Sequence, residues 1–379
     1  MTKPIAVISS DTHLKPYWQA RMPNMLGDSF YGFVQLVDKC LDLKVPLILA
    51  GDVIDRRDPD AETVHFFISC LETLADKDLE TYFLQGQHDL SRRQPWLSCA
   101  AGTWWVHKKS FQIGPVEFYG LDYTPPGEIH EALDGIPKGT HVLLAHQVWT
   151  EQMSTQIGAK VAFDASFSDI PVVGAMFSGD YHTHRVLDAV GKDGQPLKVY
   201  SPGSTYLVKT HEDSKKYCYV IYDNFTVESV PLKGRSVVRE TITNELGLRN
   251  LTAHMRMEEE KFFQELPIEL RKPLYLIHYD NSLSDALERL EKAAEGRVHL
   301  VATAIATKDA VEEEEALPDR DEGSVSFETQ LAVDCQADGE LTCADALRLW
   351  RSNNPLEEIR SLKEEVLASK GEWSGFGAS

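Results

Sequence analysis

Short apolar runs, each ending abruptly in acids, histidines or amides, punctuate the first half of the chain. Ile5-Ala6-Val7-Ile8 is rich in β-branched residues and reads as a buried strand that stops at Ser9-Ser10-Asp11-Thr12-His13. Phe33, Leu36, Val37, Cys40 and Leu41 fall on one helical face and predict a helix over about residues 30–43. Pro46-Leu47-Ile48-Leu49-Ala50 is a second strand, stopping at Gly51-Asp52-Val53-Ile54-Asp55-Arg56. A helix over 61–75 leads to a strand at 81–84, which ends at Gln85-Gly86-Gln87-His88-Asp89. This alternation predicts βαβ units and a mostly parallel sheet. Ligands of such sheets bind at the carboxyl ends of the strands, where these polar residues fall.

Further strands are predicted at 116–121, at 141–145 before His146, and at 172–177 before Ser178-Gly179-Asp180-Tyr181-His182-Thr183-His184. After His184 the pattern shortens to strands at 185–189, 197–200, 217–223 and 226–231, expected to form a second, more antiparallel sheet packed on the first. The fold class expected is α/β, a layered α/β/β/α sandwich occupying 1–234. A smaller α+β domain is expected over 235–310, with a strand at 274–279, an amphipathic helix at 283–294 and a strand at 298–305. Residues 311–340, which include Glu312-Glu313-Glu314-Glu315, read as a solvated acidic linker. Residues 341–379 read as a helical tail. Leu341, Ala344, Leu347 and Trp350 form one stripe, and Leu356, Ile359, Leu362, Val366 and Leu367 another, the second opening with the helix-start signal Asn354-Pro355-Leu356-Glu357. These stripes suit packing on the same protein or docking on a partner's helices.

Composition narrows the class. The chain has 379 residues, 42% of them apolar, enough for sizeable cores in two or three domains. It has no apolar run near the ~18 residues of a membrane span, so no membrane association is expected. The start, Met1-Thr2-Lys3-Pro4, lacks the pattern of a signal peptide, and the six cysteines are scattered without a Cys-x-x-Cys; both point to a reduced, cytoplasmic protein. The formal charge of −21 argues against gripping nucleic acid by bulk electrostatics. About half of the acidic excess lies in 311–379, with 17 acidic and 6 basic side chains, whereas Arg56-Arg57, Arg92-Arg93 and Lys108-Lys109 lie near the strand-end motifs.

Those motifs supply Asp11 and His13, Asp52, Gln87 and His88, His146, and His182 and His184. Singly, each has a bland reading: Asp11 as a helix cap, Asp52 as a turn residue, the histidines as surface or hydrogen-bonded side chains. Five such motifs at successive strand ends argue together for one site. Two carboxylates, an amide oxygen and four imidazoles exceed what one ion can use and suit two divalent ions sharing a carboxylate. The mixture favours Mn²⁺ or Fe²⁺ over Mg²⁺ alone.

Asp-x-His, Gly-Asp-x-x-Asp-Arg, Gly-x-His-Asp, a lone His after a strand, and His-x-His together resemble the calcineurin-like metallophosphoesterases. Val199-Tyr200-Ser201-Pro202-Gly203-Ser204-Thr205, Lys215-Lys216-Tyr217 and Val230-Pro231-Leu232 before Arg235 narrow the resemblance to the SbcD-type DNA repair nucleases, in a form compact enough to be phage-encoded. The resemblance implies one metal held by Asp11, His13 and His184, a second held by Gln87, His146 and His182, and Asp52 bridging them. It implies that His88 sits beside the scissile phosphate as the catalytic residue. Asp55 is expected to have a supporting or structural role, and Asp180 either to accept from a ligand histidine or, the favoured reading, to be exposed to solvent. The implied activity is exonuclease and endonuclease cleavage of DNA in repair or recombination. The implied partners are DNA, an SbcC-type SMC-like coiled-coil ATPase and a second copy of the chain, in the cytoplasm (of the host, for a phage protein).

Two departures from the family's pattern stand out. Gln87 replaces the usual Asn, and the Gly expected just before His-x-His is Tyr181, with Gly179 two residues upstream. Two other functions fit the same residues. One is a phosphoesterase acting on a small phosphodiester or a phosphoprotein; the other is a scaffold or regulatory subunit whose metal site Gln87 has impaired.

Overall fold

The computed structural model describes residues 2–18, 22, 25–89, 100–125, 127–152, 165–171, 173–258, 266–267, 270–294 and 297–305. Arg92-Arg93, the acidic linker and the helical tail lie outside the described residues.

Two six-stranded sheets face each other. The first has the order β12-β11-β1-β2-β3-β4, built from β1 (Pro4–Ser9), β2 (Leu47–Ala50), β3 (Thr81–Leu84), β4 (Thr103–Trp105), β11 (Lys216–Tyr222) and β12 (Val227–Leu232). β1 to β4 run parallel, while β11 pairs antiparallel with both β1 and β12. The second has the order β5-β6-β7-β8-β10-β9, from β5 (Ser110–Ile113), β6 (Val116–Leu121), β7 (Val142–His146), β8 (Ala175–Gly179), β9 (Arg185–Val190) and β10 (Pro196–Ser201).

The strands after His184 therefore do not form a sheet of their own, as the chain order suggested. β9 and β10 complete the sheet begun by β5 to β8, and β11 returns to β1 across more than 200 residues of sequence. Local periodicity reports which face of a strand is buried but not which strand it pairs with. β8 also begins later than expected and runs through Ser178 and Gly179, because its pairing with β7 continues to His146 opposite Gly179.

Alternation within the strands builds the layers. Ala6, Ile8, Ile48 and Leu84 of the first sheet meet Phe118, Val142, Leu144 and Phe177 of the second in the inter-sheet core. The opposite face of the first sheet packs Val7, Leu47, Leu49 and Phe83 against α1 (Asp28–Leu43) and α2 (Ala61–Ala75). The outer face of the second packs Leu143, Met176 and Val199 against α3 (Ile129–Asp134). This is the expected α/β/β/α sandwich. The α2 start is capped by Asp60, whose carboxylate accepts from Thr63 N at 2.8 Å.

Beyond it, β13 (Val237–Ile242), β14 (Leu274–Tyr279) and β15 (His299–Ala304) form a three-stranded parallel sheet connected by α4 (Glu245–Glu258) and α5 (Ser284–Ala294). β13 and α4 are additions to the elements legible in the sequence. Leu274 and Leu276 of β14 pack on Trp18, Met25, Tyr206 and Leu207 of the sandwich. Arg235, just before β13, makes a bidentate pair with Asp28 at the start of α1, at 2.9 and 2.7 Å, and donates to Lys272 O and Leu26 O. No described helix is long and apolar enough to cross a membrane.

Both charges of the Arg235–Asp28 pair are buried, so removing one strands the other. Arg235→Ala should cost about 3–5 kcal/mol in urea denaturation. Replacing both partners, as Asp28→Asn with Arg235→Met, should recover most of that loss.

Candidate metal centre

The carboxyl ends of β1, β2 and β3 in one sheet meet those of β7 and β8 in the other. The turns that leave these strands are strained: Asp11 (φ 50°), His13 (φ 37°), Asp52 (φ 49°) and Asp180 (φ 75°) all have left-handed backbones. Such a conformation costs a non-glycine residue of order 1–3 kcal/mol. It persists here because the first two turns zip together, with Asp11 N, His13 N and Leu14 N donating to Gly51 O, Asp52 O and Val53 O at 2.9–3.0 Å. Two glycines permit the close approach. A Cβ on Gly51 would lie 2.2 Å from His146 Nδ1, and one on Gly86 would lie 2.0 Å from Asp52 Oδ1.

Asp52 is at the centre and only 1% exposed. Its Oδ1 accepts from His88 N at 2.9 Å. Its Oδ2 has no hydrogen-bond partner but faces three imidazoles: His146 Nε2 at 3.3 Å, His13 Nε2 at 3.8 Å and His88 Nε2 at 3.9 Å. Burial lifts the Asp52 carboxyl, but the facing imidazoles, His146 foremost, outweigh it and hold it well below the usual range.

His146 donates from Nδ1 to Ala50 O at 2.7 Å, which leaves Nε2 as its lone-pair nitrogen, aimed at Asp52 and unpartnered. His13 and His182 bring their Nε2 atoms within 3.0 Å of each other, and His182 Nε2 lies 3.8 Å from Asp11 Oδ1. Gln87 gives its amide N–H to Asp180 Oδ1 at 2.7 Å and keeps Oε1 buried without a partner. Carboxylate, amide and imidazole donor atoms converging this closely, several of them buried without a partner, are what a cation site requires. Asp11, His13 and His182; His13, Asp52 and His88; and Asp11, Asp52 and His146 each bring ligand atoms within 4.8 Å of one another. The orphaned Asp52 Oδ2, His146 Nε2 and Gln87 Oε1 fit divalent cations and leave a polar deficit without them.

Outer partners fix these rings. His182 donates from Nδ1 to Glu212 Oε1 at 2.7 Å, and Glu212 Oε2 accepts from Lys216 Nζ, Ser204 Oγ and Val208 N at 2.7–3.1 Å. This carboxylate–imidazole arrangement orients a metal-binding histidine. Burial raises the Glu212 carboxyl, but His182 and Lys216 together keep it well below the usual range. Asp55 Oδ1 accepts from Lys15 Nζ at 2.9 Å and lies 3.5 Å from His13 Nδ1. Its carbonyl accepts from His88 Nδ1 at 2.8 Å, leaving His88 Nε2 free at the partly open side of the site. Asp89 closes the turn below, accepting from Val53 N, Ile54 N and Gly86 N at 2.9–3.1 Å.

The structure thus brings together Asp11, His13, Asp52, Gln87, His88, His146 and His182. Three of the expected residues have these neighbours. Among the described residues the Asp/His clusters include neither His184 nor Asp180; the His184 ring stacks on Tyr217 at 4.3 Å and leans on Tyr219 at 5.0 Å, and its Nδ1 is buried without a hydrogen-bond partner. His182 lies with Asp11 and His13 instead of with Gln87 and His146. Asp180 accepts from the Gln87 amide and not from a ligand histidine. β8 extends to Gly179, so the turn begins at Asp180, and His184 directly precedes β9. Glu212 escaped sequence reading because His211-Glu212-Asp213 looks like any polar turn; only its proximity to Lys216 and His182 in space distinguishes it.

Residues 4–184 match the calcineurin-like phosphoesterase family. The chain is also similar to proteins named DNA double-strand break repair protein Mre11. It is 24% identical to that of Methanosarcina mazei over 275 residues, 68% of this chain and 41% of the relative. It is 27% identical to that of Haloferax volcanii over 237 residues, 60% of this chain and 51% of the relative. With the Methanococcus maripaludis protein it shares 21% identity over 291 residues, 70% of this chain and 75% of the relative. The match to the first two therefore spans about half of their length.

Two outcomes follow from this geometry. Glu212→Gln should weaken Mn²⁺ binding by about 10–100-fold in calorimetry while the fold persists. His107 supports the same end of the site: its Nδ1 accepts from Asp122 N at 3.0 Å, and Asp122 in turn accepts from Gln85 N at 2.9 Å. Burial, aided by Lys108 and Lys109, pushes His107 down to about 4. A lowered imidazole means the unfolded chain binds the extra proton first. Its contribution should be intact above about pH 6.5 and be lost as the pH falls through about 4, a loss of ~1–2 kcal/mol after allowance for partial exposure. His107→Gln should flatten that part of a stability-versus-pH series.

Proposed function

From a chain whose residues 4–184 carry a calcineurin-like phosphoesterase domain, we propose a metal-dependent nuclease that hydrolyses DNA phosphodiester bonds in double-strand-break repair. The single observation that carries the hydrolytic reading is Asp52 Oδ2, buried and unpartnered among three imidazoles. The relatives named for DNA double-strand break repair support the choice of DNA as substrate.

Asp11, His13 and His182 would hold one divalent ion, His146 and Gln87 a second, with Asp52 shared. Bound ions, Mn²⁺ best matched to this mixed donor set, supply Lewis acidity toward a phosphoryl oxygen and make water more acidic. The chain's own residues do the rest. Glu212 and Ala50 O fix the ring orientations of His182 and His146. His88 is tethered through Nδ1 to Asp55 O, so its Nε2 is the atom left to meet substrate. When protonated, Nε2 donates to a phosphoryl oxygen or gives its proton to the leaving oxygen. Arg56 and Arg57 are exposed just beyond Asp55, where a phosphate backbone would approach. They do not offset a formal charge of −21. A coiled-coil ATPase partner and a second copy of this chain, docked through the helical tail and N-terminal helices, would extend the DNA-binding surface. The domain layout of 1–234, 235–310, 311–340 and 341–379 belongs to this proposal.

Purified protein with Mn²⁺ should degrade linear double-stranded DNA, alone or with its ATPase, and a chelator should abolish the activity. His88→Ala should lower kcat by about 10²–10⁴-fold while Mn²⁺ uptake stays at the wild-type level. Intact DNA beside rapid cleavage of a chromogenic phosphodiester would redirect the proposal to a small substrate.

A further inference from the structure

β8 ends at Gly179, opposite His146 at the end of β7. Gly179 is fixed there, because a Cβ would lie 2.3 Å from Ala50 O and 2.5 Å from His146 Nδ1. The first residue beyond the strand is Asp180. It adopts the same left-handed backbone as Asp11 and Asp52 in the turns after β1 and β2. Its N–H donates to Asp11 Oδ1 at 3.0 Å, and its carboxylate holds the Gln87 amide at 2.7 Å. Two residues on, His182 stands with Asp11 and His13. Two further on, the His184 ring stacks on Tyr217 and leans on Tyr219, with Nδ1 buried and without a hydrogen-bond partner.

We propose that the turn's two metal ligands are Asp180 and His182, with Asp180 completing the second ion's set beside Gln87, His146 and Asp52, and that His184 binds no metal. This rests on the two-ion reading above. It makes one event of the two departures seen in the sequence. Gly179 is then the expected strand-end glycine in its ordinary position, one residue before the first ligand. A carboxylate at 180 reaches less far than an imidazole, and an amide at 87 reaches one methylene further than the usual Asn. The long and short side chains are hydrogen-bonded to each other across the second position, so each compensates for the other's length.

The chemistry of that position changes accordingly. Its donors become two carboxylates, one amide oxygen and one imidazole, a harder and more anionic set than two imidazoles with one carboxylate. Harder sets favour Mn²⁺ and Mg²⁺ over softer cations. The first position keeps two imidazoles, His13 and His182.

The test is Mn²⁺ binding to the full chain by calorimetry, with electron paramagnetic resonance to detect the coupled ion pair. Wild type should take up two ions and give the coupled signal. Asp180→Ala should weaken the second ion at least ten-fold and lose coupling while the first ion still binds, its retention reporting a folded site. His184→Phe, which keeps an aromatic ring against Tyr217, should bind both ions as wild type does. Two tight, coupled ions in Asp180→Ala, or loss of one in His184→Phe, would overturn this assignment and leave the two-ion reading standing. A single ion in wild type would overturn the two-ion reading and this assignment with it.

Discussion

The buried carboxylate of Asp52 is the constraint on which the rest of the structure depends. It is almost wholly removed from water, and one oxygen faces three imidazoles with no hydrogen bond of its own. A bare carboxylate in such a place is costly to desolvate, and nearby positive charge offsets that cost. Everything close to Asp52 serves to keep it there: the left-handed turn that aims it, Gly51 and Gly86 that make room, and His88 N that satisfies its other oxygen. The strained turns are tolerable because two flanking loops hydrogen-bond to one another as if the sheet continued past its last strand residue.

Support for the centre comes from well outside the strand ends. Tyr206 donates to His13 O at 3.1 Å, and the same tyrosine packs with Leu274 and Leu276 of the third sheet. Arg239, on β13 of that sheet, donates to Glu212 O and to Thr210 O, steadying the turn whose carboxylate orients His182. The third sheet thus bears on the candidate centre through two separate contacts, and Arg235 with Asp28 fastens it to the first helix. Neighbouring elements of this kind determine whether ligand histidines point in one direction or several.

The fold and most of the centre were legible in the residue pattern for identifiable reasons. Asp11, Asp52, Gln87 and His146 each follow a short, largely buried apolar run. A parallel strand covered on both faces requires such a run, and its carboxyl end is where the chain can turn outward with polar side chains. α2 spans 61–75, as expected, and Asp60 caps its start. Glu212 and Lys216 were not legible, since a buried ion pair and an exposed one have the same composition. Spacing alone gives His182 and His184 equal standing.

The sequence by itself determined the alternation of strands and helices, the layered class, and the strand ends where the chemistry gathers. These depend on burial periodicity, which is local. Tertiary structure alone decided that β11 returns to β1, that β8 runs on to Gly179, that His182 stands with Asp11 and His13, and that the His184 ring stacks on Tyr217. The physical reason is that strand pairing sets register, and register sets the direction of every side chain that follows.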